Sequence, residues 1–285
     1  MQWWLQTRGR HVDYPQGILS PETNRMPFWW ADWWAGFRDA TTPEAPMLIV
    51  ETGRDGWRMY ATAMETGRRD GKGRNIRASL LAVGTPGEEK ALGLLIDTWF
   101  DGRLAAHFRQ LLPEDVIERW LNDGAAPDGV EHAIDDMIFD LPAPPPVEAP
   151  MLGPGVWGGA AQADACRRSL VGQAMMSARA GRHGVFCWLN LLETMEEARA
   201  LSALRRPDVA ILLVEGGEDA EGLSAIEEAS RPPNPTIAGP PRRGADAGVL
   251  STRRDRSPVR VGWIVAGALA LVSIFVSFFT AFAQR

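Results

Sequence analysis

Short apolar or alternating runs punctuate the first 140 residues, separated by glycine-containing turns. Gln2–Gln6, Met47–Glu51, Trp57–Met64 and Ile76–Val83 are rich in Val, Ile, Trp and Tyr, the residues that suit a pleated, half-buried surface. The pattern predicts a β-meander with Gln2–Gln6 at its edge. Two turns echo one another, Glu51-Thr52-Gly53-Arg54-Asp55-Gly56 and Glu65-Thr66-Gly67-Arg68-Arg69-Asp70-Gly71. Asp-Gly tolerates the positive φ that tight hairpins require, so the echo is repeated turn chemistry and not a domain repeat. The spacing then becomes helical. Thr85-Pro86-Gly87-Glu88 has the form of a capping box with proline at the first helical position. Leu92, Leu95, Ile96 and Trp99 follow on one face. Asp101-Gly102 is an interruption, Leu104, Phe108 and Leu111 resume the spacing, and Pro113 opens a helix carrying Val116, Ile117, Trp120 and Leu121.

Residues 142–158 form a proline-rich linker that suits neither helix interior nor central strand. Beyond it the pattern predicts a helix over Ala160–Ala178, an apolar strand Gly184–Leu189, an amphipathic helix Glu193–Leu204 and a second apolar strand Val209–Val214. Strand, helix and continuous apolar strand make a right-handed βαβ crossover. Two parallel strands are not a stable domain, so the unit over 159–217 extends a sheet begun in 1–141 or pairs with another chain. The fold class expected is a mixed α+β or α/β soluble body, β-meander plus helices and then a βαβ unit. A disordered Pro/Arg-rich tether over 218–260 and a single C-terminal transmembrane helix over 261–283 follow it.

That last element is the most explicit. Val261–Ala283 is twenty-three residues without a charge, long enough as a helix to cross a hydrocarbon layer of about 30 Å with some tilt. Arg253, Arg254, Arg256 and Arg260 precede it and Arg285 alone follows. The positive-inside rule then places the N-terminus in the cytoplasm and the C-terminus outside, in a single-pass inner-membrane topology. MQWWLQTRGR is no signal peptide. Two cysteines, Cys166 and Cys187, give no disulfide framework, in keeping with a reducing compartment.

Charge sharpens this picture. Residues 1–230 hold 22 Lys and Arg against 34 Asp and Glu, a net of −12, whereas residues 231–260 hold seven Arg against two Asp, a net of +5. An acidic body on a basic tether is held off anionic lipid while the base of the tether clings to it. The same acidity excludes non-specific nucleic-acid binding.

Candidate chemistry is sparse. Trp29, Trp30, Trp33 and Trp34 form i,i+4 pairs on a helix; they suit core, protein interface or membrane surface, and four adjacent tryptophans cannot all point inward. Arg68, Arg69, Lys72 and Arg74 form a glycine-rich basic loop able to cradle an anion, although GxxxxGK[ST] is absent and a hairpin tip is the simpler reading. His11, His107, His132 and His183 make no HxH, HExxH or Cys/His cluster, so neither a metal nor a cofactor is expected. No GxSxG or GxGxxG occurs. Glu51, Asp97 and His107 are polar residues near apolar elements without a motif to join them. Within the span, Gly262, Ala266, Ala270, Ser273 and Ser277 lie along one stripe suited to helix–helix packing and a homo-oligomer.

The function expected is a tail-anchored bacterial adaptor that binds a protein partner through aromatic surface and holds it at the bilayer. The alternatives are a membrane-perturbing effector of toxin-like or phage-defence type, which clusters its transmembrane helices, and a membrane-tethered enzyme. The enzyme reading requires a polar pocket with converging ionisable side chains.

Overall fold

A computed structural model of the chain describes residues 1–10, 17–22, 25–38, 41, 45–124, 126–140, 150–190, 207–215 and 222–226. Met1–Pro232 is one compact unit. The stretch Pro233–Arg285, with Arg253, Arg254, Arg256, Arg260 and the stripe from Gly262 to Ser277, lies outside the described residues, as do His11 and the expected helix Glu193–Leu204. Among the described residues no helix is long and apolar enough to cross a membrane.

The body is α+β, with helices packed on one mixed sheet. Its strands are β1 (Gln2–Thr7), β2 (Gly17–Leu19), β3 (Leu48–Gly53), β4 (Gly56–Arg69), β5 (Asn75–Gly84), β6 (Gly155–Ala160), β7 (Gly184–Trp188), β8 (Val209–Val214) and β9 (Ser224–Ala225). They run in the order β2-β1-β5-β4-β3-β7-β8-β6-β9. From β2 to β7 every neighbour is antiparallel; β7, β8 and β6 are mutually parallel. The meander and the crossover strands thus share one sheet, joined where β3 pairs with β7 from Leu48↔Trp188 to Thr52↔Gly184. Strand β8, VAILLV, is buried along its whole length, as a strand covered on both faces must be.

Side-chain alternation sorts residues between two cores. Trp3, Leu5, Leu48, Val50, Met59, Phe186 and Ile211 face the layer of α2 (Glu89–Phe100), α3 (Arg103–Leu111), α4 (Glu114–Asp123), α5 (Val130–Asp140) and α6 (Asp164–Arg179). Trp4, Ile49, Tyr60, Leu81, Val185 and Leu212 face the other way and are met by Trp33 and Phe37, from α1 (Trp30–Ala35) and the turn after it. Gly93 brings α2 close to α6, for a Cβ there would lie 2.2 Å from Met175 Sδ.

Strand β4 carries a bulge between Ala61 and Met64, with Ala63 at φ 58°. Buried Thr62 holds it: its hydroxyl donates to the Ala45 carbonyl at 2.7 Å and accepts the Met47 amide at 3.0 Å, while its carbonyl accepts the Trp99 indole at 3.2 Å. A non-glycine residue in this region costs about 1–2 kcal/mol, offset by these three bonds.

Three local expectations change. The Thr85–Glu88 contact forms, with the Glu88 carboxylate accepting the Thr85 amide at 2.7 Å and hydroxyl at 2.9 Å. Yet Glu88 itself occupies the N-cap and the helix begins at Glu89, because Gly87 sits at φ 101° and Glu88 also ion-pairs with the Met1 ammonium at 2.8 Å. Gly155–Ala160, read in part as linker and in part as the start of a helix, is strand β6, and α6 starts at Asp164. Its glycines have poor strand propensity; parallel pairing with β8 outweighs that. Strand β1, expected at the edge of the meander, is covered there by β2, which like β9 and helix α5 carries no sequence signal strong enough to have been anticipated.

Candidate functional site

The tryptophan cluster divides by depth. Helix α1 is only six residues, so few backbone bonds hold it and its side chains decide its place. Trp33 is buried against the sheet, and its indole donates to Glu51 on β3. Trp30 and Trp34 stack on each other with ring centres 5.6 Å apart and planes 8° from parallel. Both meet the Tyr60 ring edge-on, at 4.7 and 5.4 Å. Burial pushes the Tyr60 phenol up to about 12 despite a hydrogen bond with Ser79, so it stays a neutral floor for the pair, its hydroxyl donating to Gln6 Oε1 at 3.0 Å. Trp29, Trp30 and Trp34 are half-buried, and Phe28 is 96% exposed. A lone exposed phenylalanine is ordinary; one next in the chain to a cluster of three half-buried tryptophans adds to an aromatic surface.

A cleft of about 270 Å³ opens beside Trp29, between the β3–β4 hairpin and the residues leading into β7. Gly53 pairs with Gly56 and leaves Arg54-Asp55 as a two-residue turn, with Gly56 at φ 119°. His183, 41% exposed, hydrogen-bonds through Nε2 to Glu51 Oε1 at 3.2 Å. A carboxylate accepts, so Nε2 carries the proton, and the imidazole is part of the cleft's lining. The other Glu51 oxygen accepts the Trp33 indole. Backbone contacts fix the pair: the His183 amide donates to Asp208 Oδ2 at 3.2 Å, the Asp208 amide to the His183 carbonyl at 2.8 Å, and Thr52 Oγ1 to the Arg182 carbonyl at 2.9 Å. The Arg58 guanidinium lies 4.3 Å from the centre of the Trp29 ring, a cation–π distance. Neither Arg54 nor Arg58 has an ion-pair partner among the described residues.

The basic loop has a different character. Arg68 is buried under the β1 end of the sheet, where it donates to Thr7 Oγ1 at 3.2 Å, to the Arg8 carbonyl at 2.8 Å and to Glu118 of α4. Asp70 organises the turn: its carboxylate accepts the Lys72 and Arg74 amides, both at 2.9 Å, Arg74 Nε at 2.7 Å and Arg8 Nη2 at 3.1 Å. Burial alone would raise its pKa; the bonds from Arg74, Lys72 and Arg8 outweigh that and hold the carboxyl well below the usual carboxylate range. Of the four cationic side chains, Arg68 is buried and ion-paired with Glu118, Arg74 is exposed and ion-paired with Asp70, and Arg69 and Lys72 are exposed.

The other singled-out residues do not converge. His107 is on α3 and His132 on α5, and Asp97 faces Arg103 at 3.3 Å. Burial raises the Asp97 carboxyl, a smaller contribution coming from nearby Asp101. Cys166 and Cys187 are buried and not joined in a disulfide, and burial pushes the Cys166 thiol up. Among the described residues no three His, Cys, Asp or Glu side chains are grouped to hold a metal. The pair that sequence left unjoined is Glu51 with His183, 132 residues apart. Its only trace was a carboxylate closing the apolar run Leu48-Ile49-Val50.

No known protein-family model matches the chain, and neither does any curated protein. Among solved structures, that of PA0076 from Pseudomonas aeruginosa PAO1 resembles it, with a TM-score of 0.24 and 14% identity over 62% of this chain and 77% of that one. So loose a likeness is no guide to function.

Proposed function

We propose that the chain is a tail-anchored adaptor. Residues 261–283 are its single membrane helix, 218–260 its tether, and the body binds a protein partner on the cytoplasmic side through the surface formed by Phe28, Trp29, Trp30 and Trp34. The observation that carries the reading is the 96% exposure of Phe28 beside three half-buried tryptophans on a helix too short to be there for its own stability. Rigid aromatics that keep part of their area in water are the side chains from which interface hot spots are built. The acidic body and basic tether support the membrane-facing half of the reading.

The test is a gentle-detergent pull-down of the full-length protein from native membranes, with mass spectrometry, repeated with Phe28→Ala and Trp34→Ala. Phe28→Ala removes nothing that the body packs against, so a stoichiometric partner should be lost with no change in melting temperature. Trp34→Ala costs binding and some stability together, through its contacts with Trp30 and Tyr60. Recovery of self-oligomers alone, or of a partner indifferent to Phe28→Ala, sinks the adaptor reading; self-oligomers alone would favour a clustering effector.

A further inference from the structure

The cleft beside Trp29 has the composition of a ligand site, and nothing in the adaptor reading uses it. Its imidazole is oriented rather than loose, because Glu51 fixes Nε2 at 3.2 Å and is itself held by the Trp33 indole. A carboxylate behind a histidine sets the ring's tautomer and direction. The His183 main chain is pinned through Asp208, and its neighbour Arg182 through Thr52. Two guanidinium groups line the same cleft, and neither is ion-paired among the described residues, although the Glu51 carboxylate, opposite Arg58 in the ladder, and that of Asp55 line it too. Arg58 is spread over Trp29 at 4.3 Å, which orients its planar fork. Arg54 stands at the hairpin tip opposite Gly181, where an added Cβ would come within 3.9 Å of Arg54 Cγ. Asp55, the second carboxylate of the lining, is exposed at the same turn.

We propose that this cleft binds a small oxyanion, the carboxylate or phosphate group of a low-molecular-weight ligand. Arg54 and Arg58 supply the donors, and His183 Nδ1 completes the site. Paired guanidinium donors match the geometry of both groups, and bonds to a charged acceptor are the stronger kind. Nδ1 accepts from the hydroxyl of a hydrogen phosphate when the ring is neutral and donates to an oxyanion when it is charged. A volume of about 270 Å³ suits one such small ligand. Glu51 lines the cleft too, but one of its oxygens meets His183 and the other the Trp33 indole, so it acts as a positioning residue.

The chain has four histidines, so imidazole carbon–proton correlations of the full-length protein in detergent micelles give few signals, assignable by single His→Gln variants. Inorganic phosphate and, separately, acetate are titrated to tens of millimolar. A saturable shift confined to the His183 signal is expected; a response to phosphate alone assigns a phosphate-bearing ligand, one to acetate as well a general oxyanion site. Arg54→Gln should weaken it by about tenfold, the worth of one charge-assisted bond. Arg54→Gln, at an exposed turn, is the informative variant if Arg58→Gln disturbs Trp29. No saturable His183 response to either anion, or a response that Arg54→Gln leaves unchanged, overturns the proposal. Neither outcome bears on the adaptor, whose partner is read by the pull-down and Phe28→Ala.

Discussion

Removal of the Glu118 carboxylate tests whether Arg68 is part of the framework or of a binding surface. The Arg68 side chain is 1% exposed; its partners Thr7 and the Arg8 carbonyl are neutral, and Glu118 supplies the counter-charge. The same carboxylate accepts the Arg10 amide at 3.2 Å. Glu118→Ala therefore leaves a buried guanidinium with dipoles alone and frees one amide. Breaking a buried pair from one side costs about 3–5 kcal/mol. Water reaches Glu118, whose side chain is 22% exposed, which places the cost near the lower end, about 3 kcal/mol. With a urea dependence of about 2–3 kcal/mol per molar, the unfolding midpoint of the full-length protein in micelles falls by about 1–1.5 M, read by far-ultraviolet circular dichroism. Arg68→Met alone is also destabilising, but in the double variant no charge is stranded, so the two losses should fall short of additive by about 1–3 kcal/mol. A midpoint shift under about 0.3 M for Glu118→Ala, or strict additivity, refutes the framework role and returns Arg68 to the surface as an anion-binding candidate.

Two further outcomes follow from geometry already described. A carboxyl held below its ordinary value of 3.8, as Asp70 is, loses its proton more readily folded than unfolded, so its contribution is complete above 3.8 and drains away as pH falls below it; urea midpoints across that range should show a steeper acid loss in the wild type than in Asp70→Asn, and parallel curves would mean the loop's bonds contribute nothing. Gly84→Ala sets a Cβ 2.2–2.4 Å from three atoms of the Trp57 ring, which is buried and donates to the Glu88 carbonyl at 3.2 Å; overpacking of this kind costs about 1–3 kcal/mol, and an unchanged melting temperature would mean that Trp57 moves aside freely.

The meander was legible as short apolar runs bounded by glycine turns, its two faces entering two cores, and α2 by the helical spacing of its apolar residues. Leu92, Leu95, Ile96 and Trp99 all reach the core from α2 as their spacing requires. Strand β6 was not legible. Gly158 and Gly159 carry no pattern, and what makes them a strand is a partner, β8, more than fifty residues later. Backbone proximity matters there too, since a Cβ at Gly159 would meet Cys166 Sγ at 2.6 Å. The start of α2 was misplaced because the residue that closes the capping box is also drawn to an ammonium group 87 residues away. The cleft was hidden for the same reason: Glu51, Arg58 and His183 belong to three strands or their approaches, and the β3–β4 and β3–β7 pairings together bring them to one place. The unequal depth of the four tryptophans was foreseen in outline; which of them enters the core was decided by Glu51, the acceptor waiting for the Trp33 indole.

The seam between β3 and β7 has a consequence for how the chain comes into being. Leu48 pairs with Trp188, so about 140 residues must be synthesised after β3 before its outer edge acquires a partner. During that interval Leu48-Ile49-Val50 is an open, apolar strand edge on a half-built sheet, the kind of template on which nascent chains associate wrongly. Contacts this distant in sequence also form slowly. The ribosome therefore releases β7 to a meander that has been waiting, and a chaperone that shields the β3 edge would act on this protein while it is still being made.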